Sequence, residues 1–562
     1  MNNTLLALAA TLLSSAAAAD TLIDHANGVQ VDASGHLQHF TGLLIGDDGK
    51  VIRVLHAGDA RPKTANLVDA HGQSLLPGLI DAHGHVTDLG FAALHLNLTG
   101  SSSLADLQQR LRDYAAAHPK DAWLVGFGWN QELWPEKRFP TSSDLDAVVN
   151  DRPVVLERVD GHAVVANSVA LKAAGVTAST PTPAGGRIEN GLFVDAAREL
   201  IDKAVPKPTP AELDLALEKS QEILLGYGVT GVGSMSTSLA DWQAFRRAGD
   251  SGRLQVRLMS YMTASDAAES NQVPTQWLYA DRLRLVGVKL FADGALGSRG
   301  AWLKQPYADK PDTRGLQFHS DAELLGLADA AASKGFQIAT HAIGDAANAQ
   351  IISVYEQLSR KYGRDRRWRI EHFQIADPAD IPRLAPTGII ASMQPTHQTS
   401  DRLMAEKRLG LNRLAGAYAW QTVWKSAARY AFGTDFPYNM SPMLAFGTDF
   451  PVESPNPFPG LSAAVSRQDI NGQPPGGWIP SERLTFEQAL EAYTRGSAYA
   501  GFAEDKIGAL EPGKWADFVL VDRDPTKIDA QSLARTQVLE TWVAGKRVWQ
   551  RVSSASPTER GK

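Results

Sequence analysis

Five separated stretches of this 562-residue chain each end an apolar, strand-like run on a residue able to bind a metal, in the order His83-x-His85, Lys289, His341, His372 and an Asp. Residues i and i+2 of a strand point to one face and lie about 6.5–7 Å apart along it, so the imidazoles of His83 and His85 can converge on one cation. In LRLVGVKLF, alternation groups Leu283, Leu285, Gly287 and Lys289 on one face and Val286, Val288 and Leu290 on the other. A lysine inside a barrel is costly as a cation and tends to lose its proton. The neutral amine can then capture carbon dioxide, giving an anionic carbamate able to bridge two cations. His341 and His372 end later strands and offer a second metal one imidazole each. Glu371, next to His372, is turned away from the interior by the same alternation and is read as structural.

Composition narrows what else the chain can do. It has no cysteine, so disulfides, thiolate zinc ligands and cysteine nucleophiles are excluded, and a metal must sit on His, carboxylate or carbamate. The net charge of -7 is spread without long runs of one sign, which points away from nucleic acid. No later window is long and apolar enough for a membrane span. Residues 1–19 lack Asp, Glu, Lys and Arg, are apolar from Leu5 to Leu13 and end in Ala17-x-Ala19, which predicts a cleaved leader and a periplasmic or secreted enzyme starting at Asp20.

The ligands need rigid elements to aim them. The middle of the chain alternates apolar strands with capped helices, the pattern of a parallel α/β fold. Thr209-Pro210-Ala211-Glu212 and Ser320-Asp321-Ala322-Glu323 are capping boxes. Ligands at strand tips suit a (β/α)8 TIM-like barrel, whose active site lies at the C-terminal ends of its strands. Strand-like texture at both chain ends, with turn signals at Asp48-Gly49 and Ala544-Gly545, predicts a small β-sandwich domain built from both termini. The expected division is a leader at 1–19, sandwich at 20–76 and 506–551, barrel at 77–505 and a disordered tail at 552–562. An insertion at about 100–225, rich in Trp and Pro around GFGWNQELWPEKRFP, is expected to cover the barrel mouth and to favour an apolar or aromatic substrate.

LLPGLIDAHGHV, VKLFADGALGSRGAWL, ATHAIGDAAN, WRIEHFQ, MQPTHQTSD and AFGTDFPVESPNPFPGL together resemble the amidohydrolase superfamily, in its YtcJ-like branch that includes N-substituted formamide deformylases. The resemblance spans residues 21 to 550 and implies a metal-bearing barrel that hydrolyses a non-peptide carbon–nitrogen bond of a small-molecule amide. It implies two divalent ions, zinc in the first instance. His83 and His85 would hold one with the final Asp, His341 and His372 the other, and a carboxylated Lys289 would bridge them. Metal-activated hydroxide would attack while the Asp moves the proton. Asp293, His162, Trp129, Gln131, Arg299, Gln394 and His397 fall in matching segments as substrate-facing or supporting residues. Homo-oligomer assembly is left open.

The chain departs from that pattern where AFGTDFP, residues 431–437, recurs unchanged at 445–451, offering Asp435 and Asp449 for one task. The approach into the last strand fits the first copy and the following loop fits the second. A βα loop tolerates extra residues better than the approach to a buried strand, so the sequence favours Asp435. Two rival readings follow: an exported binding protein whose site the repeat disrupts, and a mononuclear deaminase that would need no bridging lysine.

Overall fold

The computed structural model describes residues 20–431 and 444–552. The expected leader, Asp435 with most of the first AFGTDFP copy, and nearly all of the expected tail lie outside the described residues.

Eight parallel strands form the central sheet in the order β8-β7-β6-β5-β4-β3-β2-β1. They are β1 (Leu79–Gly84), β2 (Val229–Thr237), β3 (Arg257–Thr263), β4 (Leu283–Phe291), β5 (Gln337–Ala342), β6 (Arg369–His372), β7 (Ile390–Met393) and β8 (Leu444–Phe446). The sheet curls until its ends meet. Just beyond β8 the Asp449 amide donates to the His83 carbonyl, and the His85 amide donates to the Phe450 carbonyl, each at 2.8 Å. Helices cover the outside, and those at Pro210–Gly226 and Asp321–Ser333 carry the capping boxes read from sequence.

One strand reaches its expected result by another route. Leu283 and Leu285 pack outward among the helices, while Val286 packs inward against Ile80, Met259 and Tyr261. A register shift against β3, where Leu285 pairs with Ser260 and Gly287 with Tyr261, reverses the parity of β4. After this bulge Val288 and Leu290 face the helices and Lys289 faces inward. Alternation alone placed Lys289 correctly but Leu283 and Leu285 on the wrong face.

Residues 96–195 supply a separate six-stranded sheet with its own core, including Leu107, Leu111, Trp129, Trp134 and Leu156. Both chain ends share a third sheet, in which Phe518–Val521 pairs antiparallel with Ser74–Pro77. Seven of its strands form one hydrogen-bonded path and the eighth, Asn66–Asp69, pairs beside it with Thr21–Val31, with hairpins turning at the two predicted places. Among the described residues no helix is long and apolar enough to cross a membrane.

Candidate metal centre and cavity

The first and last barrel strands are tied together beside the ligands. The buried Asp81 carboxylate on β1 accepts from the Thr448 hydroxyl at 2.7 Å, from the Thr448 amide at 3.1 Å and from the His83 amide at 3.0 Å. Between Thr448 and β8, Gly447 passes so near β1 that a Cβ there would lie 2.5 Å from the His83 nitrogen. Thr448→Val removes a buried donor and should lower stability by about 1–3 kcal/mol, read by denaturant unfolding.

His83 and His85 converge as their spacing predicts. Their Nε2 atoms lie 3.3 and 3.2 Å from one oxygen of Asp449. Lys289 Nζ is 3.4 Å from His83 Nε2, and burial pushes its ammonium down to about 8 against the opposing pull of Glu371 and Asp449. The His372 ring centre is 4.7 Å from that of His83 and 4.6 Å from that of His341. Burial holds both His341 and His372 well below the ordinary histidine range, so both are neutral and able to ligate.

Glu371 does not point away from the interior. His372 and Phe373 adopt left-handed backbone, φ 74° and 43°, which ends the alternation of β6 at its tip and lets adjacent residues serve one site. Glu371 accepts from His83 Nδ1 at 2.6 Å and pairs with Arg369 at 2.7 Å. Burial would raise its carboxyl, but the Arg369 guanidinium and then His83 hold it well below the usual carboxylate range. By taking the Nδ1 proton it fixes the tautomer that leaves His83 Nε2 free for a metal; Gln394 Oε1 does the same for His372 at 2.9 Å.

The acid at the tip of the described last strand is Asp449, from the second copy. The preference for Asp435 supposed that the first copy forms the strand, whereas Leu444–Phe446 forms it, with Ala431 still in the preceding helix. Besides His83 and His85, Asp449 lies 3.8 Å from His372 Nδ1 and 3.6 Å from His397 Nε2. Burial would raise it, but these imidazoles, His83 foremost, keep it ionised well below the carboxylate range. Asp449 Oδ1, His341 Nε2 and His397 Nε2 are buried without a well-formed hydrogen bond. Ligand atoms of His83, His372 and Asp449 lie within 4.8 Å of one another. The orphaned His341 imidazole, held neutral, and the Asp449 carboxylate fit a divalent cation, with zinc well suited to the donors.

A cavity of about 810 Å³ opens over this centre, with His85, Lys289, His341, His372, His397 and Asp449 on its wall. The insertion also lines it, through residues including Asn130, Arg158 and His162. Other sequence candidates fall elsewhere. Trp129 is wholly buried in the insertion core and donates to the Leu156 carbonyl, because the Trp-rich segment packs on itself. Gln131 accepts from Arg158 Nε at 2.9 Å and so supports a cavity residue. Arg299 is engaged by Asp309 at 2.8 Å, and Gln394 stands behind His372. Asp293, pushed up to about 7 by burial, accepts the amides of Trp302, Ile343 and Gly344 and ties two loops beside His341. Sequence reasoning missed Asp81 and Thr448 entirely and misread Glu371; only its adjacency to a ligand marked Glu371 at all.

The chain matches the Amidohydrolase family over residues 66–549. It is 33% identical to the putative amidohydrolase YtcJ of Bacillus subtilis over 86% of this chain and 90% of that protein. With the N-substituted formamide deformylase of Arthrobacter pascens it shares 27% identity over 95% and 99% of the two chains. An uncharacterized metal-dependent hydrolase from Pyrococcus horikoshii superposes with a TM-score of 0.72 at 28% identity, over 91% of this chain and 99% of the other.

Proposed function

Since the chain belongs to the amidohydrolase family, we propose that it hydrolyses a non-peptide carbon–nitrogen bond, amide or formamide in type, in a small molecule. The observation that carries this reading is the convergence of His85, Lys289, His341, His372 and Asp449 on the wall of one cavity, with His83 buried against Asp449 and Lys289 and lone pairs left unsatisfied there. The name of the Arthrobacter relative supports formamides as the first class to try. His83, His85 and Asp449 would hold one divalent ion and His341 and His372 another, with Lys289 between them as its carbamate. Such ions make hydroxide available near neutral pH and polarise a carbonyl.

The residues divide the remaining work. Asp449, ionised and facing the cavity, takes the proton of the attacking water and returns it to the departing amine. Glu371 and Gln394 hold His83 and His372 in their ligating tautomers. The Lys289 amine forms its carbamate by attacking carbon dioxide and losing one proton, a reaction open to the neutral form alone. With an ammonium at about 8, recovery of metal-stripped protein in zinc under a fixed partial pressure of carbon dioxide, which holds the dissolved reactant constant, should speed up as pH rises from 7 to 9, and Lys289→Ala should not recover. A pH-independent recovery would remove the carbamate.

The test of the function is a count of metals per chain, followed by screening of N-substituted formamides and acylamines. About two ions and a cleaved acyl–nitrogen bond support the reading; no metal after reconstitution ends it. The leader at residues 1–19 adds an exported location, checked by finding Asp20 at the N-terminus of the periplasmic or secreted protein.

A further inference from the structure

His162 lines the same cavity as Asp449 but stands at the start of an insertion strand, Ala163–Ala166, not on the barrel. Its Nδ1 lies 2.7 Å from Asp195 Oδ1, and the Asp195 side chain is fully buried. The two residues sit at the paired ends of neighbouring strands, where the Asp195 amide donates to the His162 carbonyl at 2.8 Å. Asp195 holds a positive-φ backbone, φ 52° and ψ −123°, a strained conformation for a non-glycine residue. The loop after β4 makes room for its carboxylate. A Cβ on Gly294 or Gly300 would lie 2.7 or 2.6 Å from an Asp195 oxygen. Strained backbone, a buried carboxylate and a matching gap in a second element together fix one imidazole, whose ring centre is 5.1 Å from that of His341.

Burial opposes the charged imidazolium, but Asp195 favours it and draws it above the ordinary histidine range, so it is the neutral ring, with Nδ1–H given to Asp195, that presents an Nε2 lone pair on the cavity wall. In a trans secondary amide the N–H points opposite the carbonyl. A substrate whose carbonyl is turned down to the metal centre therefore offers its N–H to the insertion side. We propose that His162, positioned by Asp195, accepts a hydrogen bond from the N–H of the scissile amide and selects substrates that carry one. This rests on the amide-hydrolase reading above.

The experiment compares formanilide and acetanilide with phenyl acetate, which carries oxygen where acetanilide carries N–H. His162→Phe, keeping a ring but no acceptor, should lower kcat/KM on the anilides on the order of 10- to 100-fold and on the ester by less than about threefold. Asp195→Asn should shift the amide-to-ester ratio the same way by a smaller factor, and His162→Gln, which retains an acceptor, should restore part of it. Metal content should not change. Equal losses on amide and ester, or loss of metal in the His162 variants, would overturn the proposal while leaving the hydrolase reading intact. A metal-loaded wild type that cleaves no acyl–nitrogen bond would remove that reading and this inference together.

Discussion

Asp449→Asn lowers turnover by on the order of 10² to 10⁴, the range for loss of a positioned proton-transfer group, while Asp435→Asn leaves turnover near that of the wild type. Asparagine keeps the shape of the side chain but cannot take a proton from water, and as a neutral group it holds a cation more weakly. The expectation follows from where the second copy lies. Its amide bonds to His83, its carboxylate faces four histidines, and the preceding Thr448 is latched to Asp81. Assays of both variants with any cleaved formamide decide it. A dead Asp435→Asn beside an active Asp449→Asn would mean that the first copy, identical in sequence, takes this place in solution.

Glu371→Gln should have the second large effect, and on two quantities. Arg369 would stay buried and charged with its carboxylate gone, left with neutral acceptors alone: the substituted amide oxygen, the Tyr261 hydroxyl, the Ala82 carbonyl and the Ser392 hydroxyl. Removing one member of a buried ion pair costs about 3–5 kcal/mol, to be read by denaturant unfolding of the metal-free protein. His83 would also lose the anionic acceptor that sets its tautomer, so metal affinity should fall about 10- to 100-fold in a competitive chelator titration. Unchanged stability with weakened metal would show that Arg369 finds enough compensation among its neutral partners. The reverse pattern would show that His83 keeps its tautomer without Glu371.

Much of the site could be read from the chain because its ligands obey local rules. Two histidines at i and i+2 must share a face of an unbroken strand, and His83 and His85 meet at one Asp449 oxygen. Capping boxes bond residues three apart, and the helices at Pro210 and Asp321 begin where those boxes lie. Where a local rule was interrupted the reading failed. The bulge in β4 reversed the faces of Leu283 and Leu285, and Glu371 faces inward by alternation with Arg369 while the left-handed turn at the tip of β6 lets His372 join it. Trp129 looked like a substrate contact because aromatic content does not say whether a ring meets a ligand or its own core.

By itself, then, the sequence determined which residue types would gather at strand ends and that any metal had to be held without thiolates, since periodicity and composition belong to the chain alone. The tertiary structure decided which of two identical segments supplies the described acid, which carboxylate orients His83, and which insertion residues reach the cavity. Those outcomes depend on which neighbour lies across a strand pair or a loop. Asp81, Thr448 and His83 are brought together by closure of a barrel whose first and last strands are more than 350 residues apart in sequence, and no local pattern carries that distance.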